Sequence, residues 1–195
     1  MVIQHLATIF HANFAAHFYT TRIRMLKKFL IIFLLLPLVV SVTGMNEFPK
    51  NPIRKIADTS NIVMRNELIA YARTFLGKPY CYACASPEKG FDCSGFVSFV
   101  FKKYNISLPR SSSAYALIGK ELKPEEFKEG DILVFYGYKD NTHIGHVGII
   151  CEADGMQSKF IHSSSGKAMG VTISELGSAM YTRRFFKCID VICKN

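Results

Sequence analysis

Cys93 stands between an acid and a hydroxyl in the stretch GFDCSGFVSFVF, residues 90 to 101, at the head of an apolar run. Asp92 is a favoured helix N-cap, which puts Cys93 and Ser94 in the first turn, where unpaired amides and the positive end of the helix dipole favour a thiolate. Gly95, in the same turn, forms helix poorly but lets another chain approach closely. A cysteine that only fills a core needs neither feature, although a buried inert thiol is the usual fate of the residue. A reactive thiol also needs a base, and the base needs a group that orients it.

The chain has six histidines, three of them in the first 44 residues; the others are His143, His146 and His162. His146 begins a strand-like run, HVGIICEA, and shares a face with Gly148 and Ile150, the glycine leaving room beside the imidazole. His162 shares a face with Phe160 in KFIHSS. Between the two runs lies an Asp154-Gly155 hairpin signal, and position 154 is midway between 146 and 162. The two histidines are therefore expected to face each other across neighbouring antiparallel strands, to within a residue or two of register. His143 lies in a loop of Asp, Asn and Thr and reads as an exposed loop histidine. For His146 and His162 the alternative is a hydrogen-bonded core histidine.

Five further cysteines remain: Cys81, Cys84, Cys151, Cys188 and Cys193. Cys81 and Cys84 have the C-x-x-C spacing of a zinc half-site or a redox pair, but no second half-site is evident, so no metal is expected. Export permits disulfides, and an odd number leaves at least one thiol unpaired or paired between chains.

These groups need elements to hold them. NIVMRNELIAYARTFLGKPY reads as a helix capped by Asn61 and ended by Gly77 before Pro79. A second, buried helix runs from Cys93 to about Tyr104, and a shorter one follows LPRSSS, from about Ala114 to Gly119. The period then changes. DILVFYG (131 to 137), HVGIICEA (146 to 153), KFIHSS (159 to 164), GVTIS (170 to 174) and RRFFKCIDVI (183 to 192) are short, β-branched and aromatic, and are separated by turn residues. Helices followed by strands make an α+β fold, an antiparallel sheet packed on the helices.

Residues 25 to 44, MLKKFLIIFLLLPLVVSVTG, have two lysines, an apolar run from Phe29 to Val40 and small residues after it, the layout of a secretory signal peptide. Twelve apolar residues are short for a membrane span, so cleavage near Gly44 is expected, with an uncleaved anchor as the alternative. Residues 1 to 24 read as an over-long start, 45 to 61 as a linker with two prolines, and 62 to 195 as the folded domain. Of the formal charge of +9, Arg22, Arg24, Lys27 and Lys28 supply four, leaving +5 for residues 45 to 195. The bases are scattered without interleaved aromatics, so nucleic-acid binding is not expected; a mildly basic exported protein is drawn to an anionic polymer such as a cell wall.

GKPYCYACASPEKGFDCSGFVSFVFKKYNISLPRSSS, then FKEGDILVFY, HIGHVGII and FIHSSS, resemble the NlpC-type (NlpC/p60) cysteine peptidases of bacterial cell walls in order and spacing, over residues 66 to about 190. The resemblance implies a papain-like fold of permuted topology. It implies Cys93 as nucleophile, His146 as general base and His162 as the residue orienting it, with Tyr80 at the oxyanion site and Asp92 and Ser94 lining the substrate subsite. Its substrates would be peptidoglycan stem peptides, cut at bonds such as γ-D-glutamyl to diamino acid or D-alanyl to diaminopimelate. Other readings of the same chemistry are acyl transfer or amidase action, including a secreted anti-bacterial toxin, and a non-catalytic wall-binding protein. A monomer without cofactor is expected, exported to the periplasm or secreted, meeting a membrane only through its leader. One departure stands out: the family's aromatic followed by two glycines is here Tyr82-Ala83-Cys84, which removes easy access to positive φ beside the cleft.

Overall fold

The computed structural model describes residues 52–139 and 141–193; the leader and the predicted cleavage site lie outside them. Helix α1 spans Pro52–Arg73, a short ribbon pairs β1 (Ala85–Ser86) with β2 (Gly90–Phe91), and α2 spans Cys93–Lys102. A 3-10 segment follows at Ser112–Leu117. The remaining elements are β3 (Lys120–Leu122), a 3-10 turn at Pro124–Glu126, β4 (Ile132–Tyr136), β5 (Ile144–Glu152), β6 (Lys159–Ser164), β7 (Gly170–Glu175), α3 (Ala179–Arg184) and β8 (Phe185–Asp190). The six longer strands form one antiparallel sheet ordered β3-β8-β4-β5-β6-β7. This is the expected α+β layout of helices first and sheet afterwards. Among the described residues, no helix is long and apolar enough to cross a membrane.

Several element boundaries differ from the sequence reading. α1 begins at Pro52, so residues 52 to 61 of the expected linker are helical and Asn61 lies inside the helix instead of capping it. The reason is that proline at the first helical position loses no hydrogen bond and has its φ already set, so the proline that suggested a linker starts the helix. The expected helix after LPRSSS is 3-10, two residues earlier than placed. Arg183 and Arg184, read as strand, end the short helix α3, and the strand proper starts at Phe185.

Period two along the strands divides the interior into two cores. On one side of the sheet Ile132 and Val134 of β4 join Val147 and Ile149 of β5, Leu68 and Ala72 of α1, and Phe96, Val97 and Val100 of α2. On the other, Leu133 and Phe135 pack with Ile150, Phe160, Leu176 and Tyr181. Arg65 of α1 ties the helix layer to the strand ends, 2.7 Å from Asp131 and 2.8 Å from Asp190. The segment after α1 closes the sheet's β7 side: Gly77 N donates to Val171 O at 2.9 Å, Val171 N to Lys78 O at 2.8 Å and Tyr80 N to Met169 O at 3.0 Å. Pro79 bridges Gly170, and Tyr80 bridges Phe91.

Candidate active site

α2 opens as its sequence requires. Asp92 has extended backbone and its Oδ1 accepts from Gly95 N at 2.7 Å, making Cys93 the first helical residue. A side chain at position 95 would collide with the Cys84 carbonyl, the close approach that the glycine permits. Packing of α2 against β5 seats the Cys93 thiol on the strand's main chain, 4.0 Å from the carbonyl oxygen of Gly145, the residue before His146.

The histidines meet as the strand pattern foretold, two residues out of the predicted register. Ile149 pairs with Ile161 and Ile150 with Phe160, so the hairpin centres on 155, and His146 meets His162 on the diagonal. Nε2 of His146 lies 2.8 Å from Nδ1 of His162, with the rings edge to face. Nε2 of His162 lies 2.9 Å from Ser174 Oγ, and the Tyr181 hydroxyl is 3.4 Å away. His162 is fully buried. Burial, with Arg184 adding to it, lowers its pKa to about 3. Burial likewise holds His146 well below its ordinary value, with His162 and Arg184 acting in the same direction. With both rings neutral the contacts allow either direction of donation, and the chain in which His146 Nε2–H donates to His162 Nδ1 and His162 Nε2–H donates to Ser174 Oγ is the one that frees Nδ1 of His146. The lone pair on Nδ1 of His146 is then the one left to accept a thiol proton.

The thiol itself departs from expectation. Burial pushes the Cys93 pKa up, the neighbouring Asp92 carboxylate pushes it further, and main-chain groups of Ser94, Val147 and Cys93 offset this only in part. The helix start therefore does not by itself make a thiolate. Desolvation disfavours both charged forms, the thiolate and the imidazolium.

Tyr80, Asp92 and Ser94 line one cavity with Cys93, of about 450 Å³. Tyr80 is half-buried, and its pKa is raised by burial and by the nearby Cys93 sulfur. Asp92 and Ser94 are buried and already engaged. Arg110 forks onto both Asp92 oxygens at 2.7 Å, and Ser94 Oγ donates to the Arg110 carbonyl at 2.6 Å. Arg110 Nη2 also donates to Cys84 O at 3.0 Å, so the Asp92–Arg110 pair fixes the floor of the cleft and its flanking loop. Arg110, Ser174 and Arg184 escaped the sequence reading. Arg110 lies in LPRSSS, taken only as a helix break, and its partner is 18 residues away; Ser174 becomes visible only once the β6–β7 register is known.

Cys81 and Cys84 are joined by a disulfide, which removes both thiols from any zinc half-site. Cys93, Cys151, Cys188 and Cys193 are free thiols. No cluster of three or more metal-ligating side chains occurs among the described residues. The turn keeps the positive φ that two glycines would have allowed: Ala83 takes φ 58°. His143 is exposed in its loop, with Nδ1 2.7 Å from Thr142 Oγ1.

A sequence model of the NlpC/P60 family matches residues 77–190. The chain is 32% identical over 149 residues to the gamma-DL-glutamyl hydrolase of Bacillus subtilis, covering 75% of this chain and 32% of that protein. It is 35% identical over 98 residues to the bifunctional muramidase/DL-endopeptidase CwlT of the same organism, covering 50% of this chain and 28% of the other. It thus spans about a third or less of these relatives' length. Among solved structures, an NlpC/P60 family protein from Bacillus cereus superposes with a TM-score of 0.58 at 27% identity, over 66% of this chain and 40% of that one. The peptidoglycan hydrolase RipB from Mycobacterium tuberculosis superposes with a TM-score of 0.53 at 23% identity, over 78% and 72%, a likeness of fold.

Proposed function

The chain belongs to the NlpC/P60 family, and from that premise we propose that it is a cysteine endopeptidase acting on the stem peptides of bacterial cell wall. Cys93 is the nucleophile, His146 the base and His162 the group that orients the base. The observation carrying this reading is the hydrogen-bonded chain from His146 Nε2 through His162 to Ser174, 2.8 and 2.9 Å, beside a thiol held at a helix start. Such a chain orients the base and accommodates the tautomer in which its Nδ1 is free to accept a proton.

The reaction begins from neutral partners. Nδ1 of His146 takes the thiol proton as sulfur bonds to the carbonyl carbon of the scissile amide, and the carbonyl oxygen becomes an oxyanion. The Cys93 N–H, helped by the Tyr80 hydroxyl, stabilises that charge. The imidazolium returns its proton to the departing nitrogen as the C–N bond breaks. A water, deprotonated by His146, then hydrolyses the thioester. Asp92 and Ser94 border the acyl side of the cleft.

The names of the Bacillus subtilis relatives, a gamma-DL-glutamyl hydrolase and a DL-endopeptidase, support a bond between γ-D-glutamate and a diamino acid. The signal-like segment 25 to 44 and the disulfide support action outside the cytoplasm, in the periplasm or secreted. The test is to incubate the purified protein with isolated peptidoglycan and identify released peptides by mass, with Cys93→Ala as control. Release of peptides newly ended at γ-D-glutamate, absent with Cys93→Ala, is the expected result. Equal release by both proteins, or none, refutes the proposal.

A further inference from the structure

The cleft does not end at His146. Gly145 lines the cavity of Cys93 and also a second one, of about 690 Å³, that has His146 in its wall. The second cavity is bordered by the hydroxyls of Ser164, Ser165, Thr172 and Ser174 and by Lys167 and Arg184, and no Asp or Glu among the described residues lines it. Arg184, at the end of α3, is only 7% exposed. Its Nε donates to the Tyr136 carbonyl at 3.0 Å, and its guanidinium lies over the rings of Tyr138 and Tyr181 at 5.7 and 6.0 Å. Among the described residues the terminal nitrogens have no hydrogen-bond partner and no carboxylate pairs with them. Contrast Arg65, equally buried, which holds two aspartates.

A buried cation that no acid among the described residues offsets is costly unless something else supplies the charge. Here the guanidinium borders a cavity rich in hydroxyl donors, where a planar carboxylate can take its two terminal N–H groups side by side. Its location fixes which part of a substrate meets it. His146 returns the proton to the leaving amine, so the leaving fragment lies on the His146 side of the scissile bond, and this cavity has His146 in its wall.

Resting on the peptidase reading above, we propose that Arg184, with Lys167, is a carboxylate receptor for the residue that supplies the leaving amine. The enzyme then selects diamino acids bearing a free carboxylate on the side chain, such as diaminopimelate, over those in which that group is amidated.

The test uses the full protein and two peptides, L-alanyl-γ-D-glutamyl-diaminopimelate and the same peptide with its side-chain carboxylate amidated. The free acid is expected to be cut with a kcat/KM about tenfold higher, the worth of one charge-assisted hydrogen bond. Arg184→Gln should bring the ratio close to one, and Arg184→Lys, which keeps the charge but loses the planar fork, should lower it several-fold. A wild-type ratio near one, or a ratio unchanged in both variants, overturns the proposal. Should Arg184→Gln fail to fold, shown by its circular dichroism, Arg184→Lys decides in its place. Affinities of Cys93→Ala protein for the same two peptides, by calorimetry, separate this inference from the peptidase reading. If the wild type cuts neither peptide, that reading fails, whereas tighter binding of the free acid that vanishes on adding Arg184→Gln still upholds the receptor. Equal or undetectable binding of both peptides overturns it.

Discussion

Nε2 of His146 and Nδ1 of His162 lie 2.8 Å apart on neighbouring strands, and this contact leaves Nδ1 as the ring nitrogen of His146 not engaged by His162. Because the nucleophile and base act as a unit, Cys93→Ala and His146→Ala should each reduce kcat by a similar factor, at least about 10³-fold. His162→Ala removes orientation and leaves the proton acceptor, so its loss should be smaller, about 10²-fold. Cys151→Ala should keep activity, since that thiol is buried in the core away from the cleft. Steady-state rates on a γ-D-glutamyl peptide check the series, and a His162→Ala loss equal to that of Cys93→Ala would contradict the division of roles.

The pH dependence follows from the direction of the histidine shifts. His146 is held well below 6.5, so it stays a competent neutral base as pH falls through 6.5, and the acid limb of kcat/KM should lie below that value. Replacing Arg184 by Gln removes a cation that opposes protonation, so the acid limb should move upward. A limb at or above 6.5 in the wild type, or a downward shift in the variant, would count against the assignment.

Stability should show a related dependence. The unfolded chain takes up a proton on His162 near pH 6.5, whereas the folded state resists until about pH 3. The stabilising difference is therefore complete above 6.5 and is lost as pH falls towards 3, at up to about 1.4 kcal/mol per pH unit. Urea midpoints at pH 7 and 5 should fall more steeply for the wild type than for His162→Gln.

Gly148 passes directly beneath the second histidine. A methyl group there would lie 2.5 Å from Phe160 Cδ2 and 3.1 Å from His162 Cβ. Gly148→Ala should therefore cost about 1–3 kcal/mol in stability by overpacking. It should also lower kcat more than it raises KM, because the displaced ring is the one that aligns the base. Denaturation and steady-state kinetics on one preparation measure both, and an unaltered kcat would show that His162 is less constrained than its surroundings imply.

Ala83 is exposed and holds φ 58°, a region that costs an L-residue about 1 kcal/mol. With little burial to lose, Ala83→Gly in the oxidised protein should raise stability by up to about that amount. Chemical denaturation without reductant tests it, and a destabilised variant would mean that Ala83 makes contacts worth more than its backbone conformation costs.

The helix entrance at Cys93 was legible because helix caps are local: Asp92 and Gly95 announce it within three residues of the cysteine. The histidines were legible because a strand has period two and a hairpin has a centre, which places two side chains without any knowledge of the rest of the fold. Arg110 and Arg184 were not, since what makes each one informative is a partner, or the lack of one, set by tertiary packing. The sign of the Cys93 shift was misjudged for a related reason: the helix end is local, but the burial that outweighs it depends on β5 lying across the thiol. The start of α1 was misplaced because proline breaks helices in their interior and begins them at the first turn, and composition alone does not say which applies.

The β7 side of the sheet is covered by the segment 77–80, bonded to it through Gly77, Lys78 and Tyr80. At the opposite side, β3 is three residues long and carries Lys120 and Glu121, both exposed. Open strand edges invite other chains to add themselves, and a short charged edge and a covered one both discourage this. The cover that guards against such aggregation also carries Tyr80, a cleft residue. Loosening it would therefore disturb the site and expose the sheet edge together, so loss of activity and onset of clumping in damaged protein should arrive as one event.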